Sequence, residues 1–238
     1  MAYIDGFVAP APAANRDAYR KFAAEAATLF KEYGATRVVE TWGDDVPDGK
    51  VTDFKGAVKA EDGEVIVFSW VEYPDKATRD AAGKKMMEDP RMETLGDMPF
   101  DGKRMIYGGF EVVLDKGPGG AMGYVDGAIQ AVPTANKRAY ADMNDVMTDV
   151  IRECGATRIV DGWGDHVPDG KITDYRSAVK ATDEETVTFS WIEWPSKAAR
   201  DAGWAKVMAD PRMHRSPEGM PFDPQRRVYG GFDPLLDA

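Results

Sequence analysis

Tyr3-Ile4-Asp5-Gly6 recurs 121 residues later as Tyr124-Val125-Asp126-Gly127, and that recurrence decides the fold. The same offset carries Gly34-Ala35-Thr36-Arg37 onto Gly155-Ala156-Thr157-Arg158 and Trp42-Gly43-Asp44 onto Trp163-Gly164-Asp165. It also carries Phe68-Ser69-Trp70 onto Phe189-Ser190-Trp191 and Asp89-Pro90-Arg91-Met92 onto Asp210-Pro211-Arg212-Met213. One inserted residue then moves the offset to 122, where Tyr107-Gly108-Gly109-Phe110 matches Tyr229-Gly230-Gly231-Phe232. A period this long exceeds the ~20–50 residues of solenoid repeats, so each copy reads as a complete domain. The 238 residues accommodate two domains of ordinary size. Asp115-Lys116-Gly117-Pro118-Gly119-Gly120 has the Gly/Pro density of a flexible joint. The expected division is 1–115, a linker at 116–122, and 123–238.

Within each copy the pattern reads strand, helix, strands, helix, strand. Residues 3–9 form a strand that ends in prolines, and Asn15 is placed to cap the helix that follows. Tyr19, Phe22, Ala26, Leu29, Phe30 and Tyr33 recur at helical spacing, and Gly34 supplies the stop. In the second copy Cys154 takes the place of Tyr33 and reads as a small buried hydrophobe. A strand over 36–44 leads into the Val46-Pro47-Asp48-Gly49 turn, where glycine is expected to supply a positive φ. Residues 53–60 and 64–72 read as extended. Asp75, or Ser196 in the second copy, caps a second helix, which stops by Asp89-Pro90. The last strand, 104–114, is interrupted by Gly108-Gly109, the mark of a bulge or a close backbone approach.

A βαββαβ order gives an α+β, ferredoxin-like domain with both helices on one face of an antiparallel sheet. The other face is rich in Val, Ile, Phe and Trp and needs a cover, which the second copy provides. The expected architecture is therefore two tandem ferredoxin-like domains packed sheet to sheet, a pseudo-twofold dimeric α/β barrel within one chain.

Three strings carry a more specific likeness. They are Glu40-Thr41-Trp42-Gly43-Asp44-Asp45-Val46-Pro47-Asp48-Gly49-Lys50, Phe68-Ser69-Trp70-Val71-Glu72-Tyr73-Pro74, and the run from Met98 through Phe110. The chain resembles, twice over and nearly end to end, the YbaA-like family of small bacterial proteins, a domain of unknown function. The resemblance implies the dimeric α/β-barrel fold and brings no established reaction. The wider superfamily implied by it includes small monooxygenases, isomerases and haem-handling enzymes, which use pockets between sheet and helices.

Composition limits the function. The net charge of −11 divides almost evenly between the copies and disfavours binding to nucleic acid or anionic membranes. A single cysteine excludes an internal disulfide framework, and no signal peptide or transmembrane run is evident, so a cytoplasmic protein is expected. His166 and His214 stand where the first copy has Asp45 and Glu93, so a site common to both copies cannot rest on histidine. No metal, haem or other cofactor pattern is present, and Asp44, Asp45 and Asp48 read as a solvated acidic turn rather than a cation loop.

The best candidate chemistry lies in aromatic–carboxylate pairs two residues apart on one strand: Glu40 with Trp42, and Trp70 with Glu72. The second copy keeps them as Asp161, Trp163, Trp191 and Glu193. A carboxylate beside indoles in a half-dry pocket has a raised pKa and can serve as a general acid or base. The same residues are also explained as core indoles with solvated or Arg-paired carboxylates. Arg104 with Tyr107, and Arg226 with Tyr229, flank the glycine pairs; they read either as donors to an anionic or carbonyl ligand or as structural groups. No catalytic residue is assigned. Two functions remain open. One is binding of a small organic molecule in a sheet–helix pocket, with cofactor-independent catalysis as its extension. The other is a non-catalytic structural or stress-response interaction module. In either case the fused chain is expected to be an intrachain pseudo-dimer, as a monomer or weak homodimer.

Overall fold

In the computed structural model, which describes residues 1–91, 97–214 and 219–238, eight antiparallel strands close into a barrel. The first half runs β1 (Tyr3–Pro12), α1 (Arg16–Glu32), β2 (Arg37–Asp45), α2 (Phe54–Ala57), β3 (Glu64–Tyr73), α3 (Lys76–Glu88) and β4 (Ile106–Lys116). The second repeats it as β5 (Tyr124–Pro133), α4 (Lys137–Glu153), β6 (Arg158–His166), α5 (Tyr175–Ala178), β7 (Glu185–Trp194), α6 (Lys197–Ala209) and β8 (Val228–Asp237). The strand order is β1-β3-β2-β8-β5-β7-β6-β4. Each half is thus a four-stranded ferredoxin-like sheet, and the halves join edge to edge through β2–β8 and β4–β6. Closure removes the free edges that two separate sheets would expose.

The interior is packed solid. Phe68 and Phe189 stack at 4.5 Å across the pseudo-twofold axis, and Trp70 and Trp191 stack at 4.4 Å. Glycine makes the first stack possible: a Cβ on Gly6 would sit 2.7 Å from the Phe189 ring, and one on Gly127 would sit 2.9 Å from that of Phe68. The recurring Tyr-x-Asp-Gly motif therefore encodes a contact between the halves. Its tyrosines add another, since Tyr3 Oη donates to Asp165 and Tyr124 Oη to Asp44, at 2.9 and 2.8 Å. Lys197 and Arg200 also pair with Asp44 and Asp45, so these carboxylates hold the halves together.

Several local expectations change. Residues 54–57 are a helical turn, not a strand; Asp53 accepts from Gly56 N–H and fixes the helical start. Asp174 does the same for α5. Asn15 and Asn136 do not cap α1 and α4; their amides donate instead to the carbonyls of Pro99 and Pro221, tying each helix to the segment before the last strand. Gly49 lacks a positive φ, and glycine is needed there because the Thr52 carbonyl crowds the position. The stops at Gly34 and Gly155 do have positive φ, 105° and 117°. Asp75 and Ser196 cap α3 and α6 as expected. Gly108-Gly109 shows both expected features: the ladder to β6 shifts register at Gly109, and a Cβ there would lie 2.5 Å from Tyr3 Oη. Arg91 and Arg212 pair with Asp89 and Asp210 just after α3 and α6, while Met92 and Glu93 lie outside the described residues. Cys154 is half-buried against the cluster around Tyr124 and Ile151.

Candidate functional site

Strand register decides which candidate residues meet. Val39 of β2 pairs with Trp70 of β3, and Glu40 pairs with Ser69. Odd positions of β2 therefore share a face with even positions of β3. Val39, Phe68 and Trp70 face the barrel interior, while Trp42 packs outside the sheet with Tyr19 and Ala23 of α1. The pairs Glu40–Trp42 and Trp70–Glu72 thus lie on opposite faces, and so do Asp161–Trp163 and Trp191–Glu193. They do not make one pocket.

The inward set closes one end of the barrel. Trp70 Nε1 donates to Glu72 and Trp191 Nε1 to Glu193, at 3.1 and 3.0 Å. Arg37 reaches Glu193 at 2.6 Å and Asp237 at 2.7 Å; Arg158 reaches Glu72 and Asp115, each at 2.8 Å. Glu193 is fully buried. This pseudo-symmetric network satisfies its buried charges with partners from both halves, as an interior ion cluster must. Arg104 and Arg226 are likewise engaged. Each forks onto a carboxylate, Glu64 and Glu185 respectively, and bonds a main-chain carbonyl as well. Arg226 holds Glu185 down at about 2, helped by the Thr182 N–H. Tyr107 and Tyr229 are largely solvent-exposed.

The outward set differs between the halves. Around Glu40 the space is filled by rings: Tyr19 contacts Trp42 and Phe100, and Phe22 contacts Phe100. Tyr19 Oη donates to Glu40 at 2.6 Å. Around Asp161 a cavity of about 390 Å³ opens between the sheet and helices α4 and α6. Its walls are mostly apolar, with Leu114, Met143, Met147, Ile151, Ile159 and Trp204 among them. Asp161 and Tyr229 line it; Trp191 borders it only from its strand, its indole facing the barrel interior, and Trp163 packs beside it in the cluster of Tyr140 and Phe222.

The polar floor is built from four elements. Gln130 Nε2 on β5 donates to Tyr140 Oη of α4 at 3.0 Å, and that phenol donates to Asp161 Oδ1 of β6 at 3.0 Å. Thr188 Oγ1 of β7 lies 3.2 Å from the same phenol oxygen. Asn144 Nδ2 donates to the second Asp161 oxygen. Burial pushes the Asp161 carboxyl up to about 7, against the lowering pull of the Tyr140 and Asn144 hydrogen bonds and the Arg227 charge. Two buried atoms of the floor find no hydrogen-bond partner among the described residues: Gln130 Oε1 and Arg227 Nε. On the opposite wall Asp126 is saturated by Arg200, Trp194 and Trp204, at 2.8, 2.9 and 2.6 Å.

Gln130, Tyr140, Asn144 and Arg227 were not identifiable as site residues from motifs shared by the copies. For Gln130, Asn144 and Arg227 the signal is asymmetry, whereas Tyr140 is repeated as Tyr19. The first half has Ala9 for Gln130, Ala23 for Asn144, Gly83 for Trp204 and Met105 for Arg227. Arg226, repeated in both copies, is structural, and its unrepeated neighbour Arg227 reaches the cavity. Among the described residues no three His, Cys, Asp or Glu side chains cluster as a metal site would require. Among them, too, no helix is long and apolar enough to cross a membrane.

The comparisons with known proteins agree with this architecture. A family model described as "Protein of unknown function (DUF1428)" matches residues 2–102 and 123–224. YbaA of Escherichia coli strain K12 is 66% identical over 117 residues, which is all of that protein and 49% of this chain. YbaA of Shigella flexneri matches to the same extent. Among solved structures, the "putative monooxygenase" of Lactobacillus acidophilus NCFM superposes with a TM-score of 0.61 at 12% identity, covering 100% of this chain and 96% of its own. Its namesake from Fusobacterium nucleatum gives 0.59 at 7% identity, covering 100% and 94%. At such identities the likeness is one of fold.

Proposed function

Because the chain belongs to the DUF1428 family, in a tandem form that builds the barrel from one polypeptide, its activity has to be read from its own site; we propose that the second half binds a small organic molecule in the sheet–helix cavity, with Asp161 exchanging a proton with it. One observation carries this reading. An apolar cavity of ligand size ends in a buried polar floor on which Gln130 Oε1 and Arg227 Nε are left unmatched. An unmet buried donor or acceptor costs ~1–3 kcal/mol, which a bound molecule that completes both bonds recovers. Asp161, at about 7, is near the neutral point where proton transfer in either direction is efficient. Tyr140 and Asn144 fix the carboxyl in place, so it is oriented before a ligand arrives. The monooxygenase names of the fold neighbours fit a small-molecule role.

Native mass spectrometry of the purified chain, compared with its denatured mass, tests the proposal. A small mass lost on denaturation is expected, or, for protein purified empty, a thermal shift with members of a chemically diverse fragment set. The shift should vanish in Met147→Trp, which fills the cavity. Absence of both signals in the wild-type chain would refute ligand binding and leave the non-catalytic interaction module.

A further inference from the structure

Resting on the ligand-binding reading above, we infer that the cavity selects small organic monoacids that also carry a hydroxyl group, with the carboxylate on the Arg227 guanidinium and the hydroxyl donating to Gln130 Oε1. Asp126, Asp161, Arg200 and Arg227 are charged side chains along the cavity. Arg200 is committed to Asp126, Asp45 and Asp201. Asp126 is taken by Arg200 and two indoles, and Asp161 by Tyr140 and Asn144. Arg227 lines the same cavity, and among the described residues its side chain forms neither an ion pair nor a hydrogen bond, with Nε buried. A guanidinium has five N–H donors in a planar fork and no acceptor, so its matched partner is a planar anion such as a carboxylate.

The opposite end of the requirement is set by Gln130. It is buried, its amide nitrogen is spent on Tyr140, and its oxygen is free. That oxygen can only accept, so the ligand must present an O–H or N–H there. A dianion such as a phosphate monoester is disfavoured by a single guanidinium with the Asp161 carboxyl beside it. The remaining walls, Met143, Met147 and Ile151 of α4 with Ile159 of β6, suit an apolar body. The first half lacks both recognition groups, having Ala9 and Met105 in their places, so the selectivity belongs to the second half.

The test is isothermal titration of the full chain with para-hydroxybenzoate, para-hydroxyphenylacetate and a medium-chain hydroxyalkanoate, each beside its neutral amide and the acid lacking the hydroxyl. A charge-assisted bond to Arg227 should make the acids about tenfold to a hundredfold tighter than the amides. Arg227→Gln should weaken the acids by about that factor and so remove the difference between acid and amide. Arg227→Met, carrying the residue of the first half, is the second variant should the first fold poorly. Gln130→Leu should erase the preference for the hydroxy acid over the unsubstituted acid. Amides that bind as tightly as acids would overturn the assignment of class and leave the cavity reading standing. If neither acids nor amides bind, and the fragment set gives no shift that Met147→Trp abolishes, the cavity reading itself fails and the class falls with it.

Discussion

Replacing Asp161 with Asn should make the protein more stable at alkaline pH and indifferent at acidic pH. The carboxyl moves from an ordinary 3.8 to about 7, first because it is buried. The folded chain therefore holds this proton more tightly than the unfolded chain. Between those two values it binds more protons when folded, so stability falls as pH rises and the loss is complete above the folded pKa. About three pKa units at ~1.4 kcal/mol each put the ionisation penalty at ~4 kcal/mol. Asparagine keeps the shape and cannot ionise, so it should match wild type within ~1 kcal/mol near pH 3.5, below the unfolded pKa. Near pH 8.5 it should be more stable by ~2–4 kcal/mol, a rise in Tm of roughly 5–15 °C for a chain of this size. Urea unfolding followed by tryptophan fluorescence at the two pH values reads the difference directly. A gap that stays constant with pH, or an Asn variant less stable at high pH, would refute both the burial argument and the proton-exchange role built on it. Glu40→Gln should behave the same way in the first half, because burial also raises that carboxyl to about 7.

Further outcomes follow from packing, charge and topology. Met143→Phe with Ile151→Phe, which imports Phe22 and Phe30 from the first half, should fill the cavity and abolish the native mass adduct while changing stability by less than ~2 kcal/mol. Gly231→Ala should cost ~1–3 kcal/mol in chemical denaturation, because its Cβ would lie 2.5 Å from Tyr124 Oη; a neutral result would contradict the close approach. Arg37→Met should cost ~3 kcal/mol, since it strips a fully buried Glu193 of its 2.6 Å partner; an unchanged midpoint would show that Arg158 suffices. Residues 1–116 alone leave β2 and β4 without their β8 and β6 partners and should pair with a second copy, giving twice the monomer mass in light scattering; a stable monomer would deny that closure drives association.

The helical stripe ending at Gly34 and the Asp75 cap were legible because each rests on residues near one another in the chain, and the repeat because its strings match whatever the fold. Misreadings arose where a cap went unrecognised or a contact from elsewhere overrides a local preference. The helical turn at 54–57 is set by the Asp53 cap and by packing of Phe54 against Phe68 and Phe232. Asn15 leaves its helix for the Pro99 carbonyl. Of the candidate residues, Asp161 and Tyr229 reach the cavity, while Arg104 and Arg226 are used in ion pairs that no spacing announces.

By itself the sequence determined two copies of one α+β domain, apolar on both faces of its sheet, and therefore obliged to pair. Alternation along a strand says which residues share a face, and that much was sound for Glu40 with Trp42 and for Trp70 with Glu72. Only the tertiary structure decided that these faces are opposite, because the register pairing Val39 with Trp70 is fixed between strands, not within them. It alone decided, too, that Gln130 of β5, Tyr140 and Asn144 of α4, Asp161 of β6 and Arg227 before β8 converge, since barrel closure and the packing of α4 on the sheet bring those segments together. A one-residue slip in any of those ladders would turn the floor of the cavity to the other face.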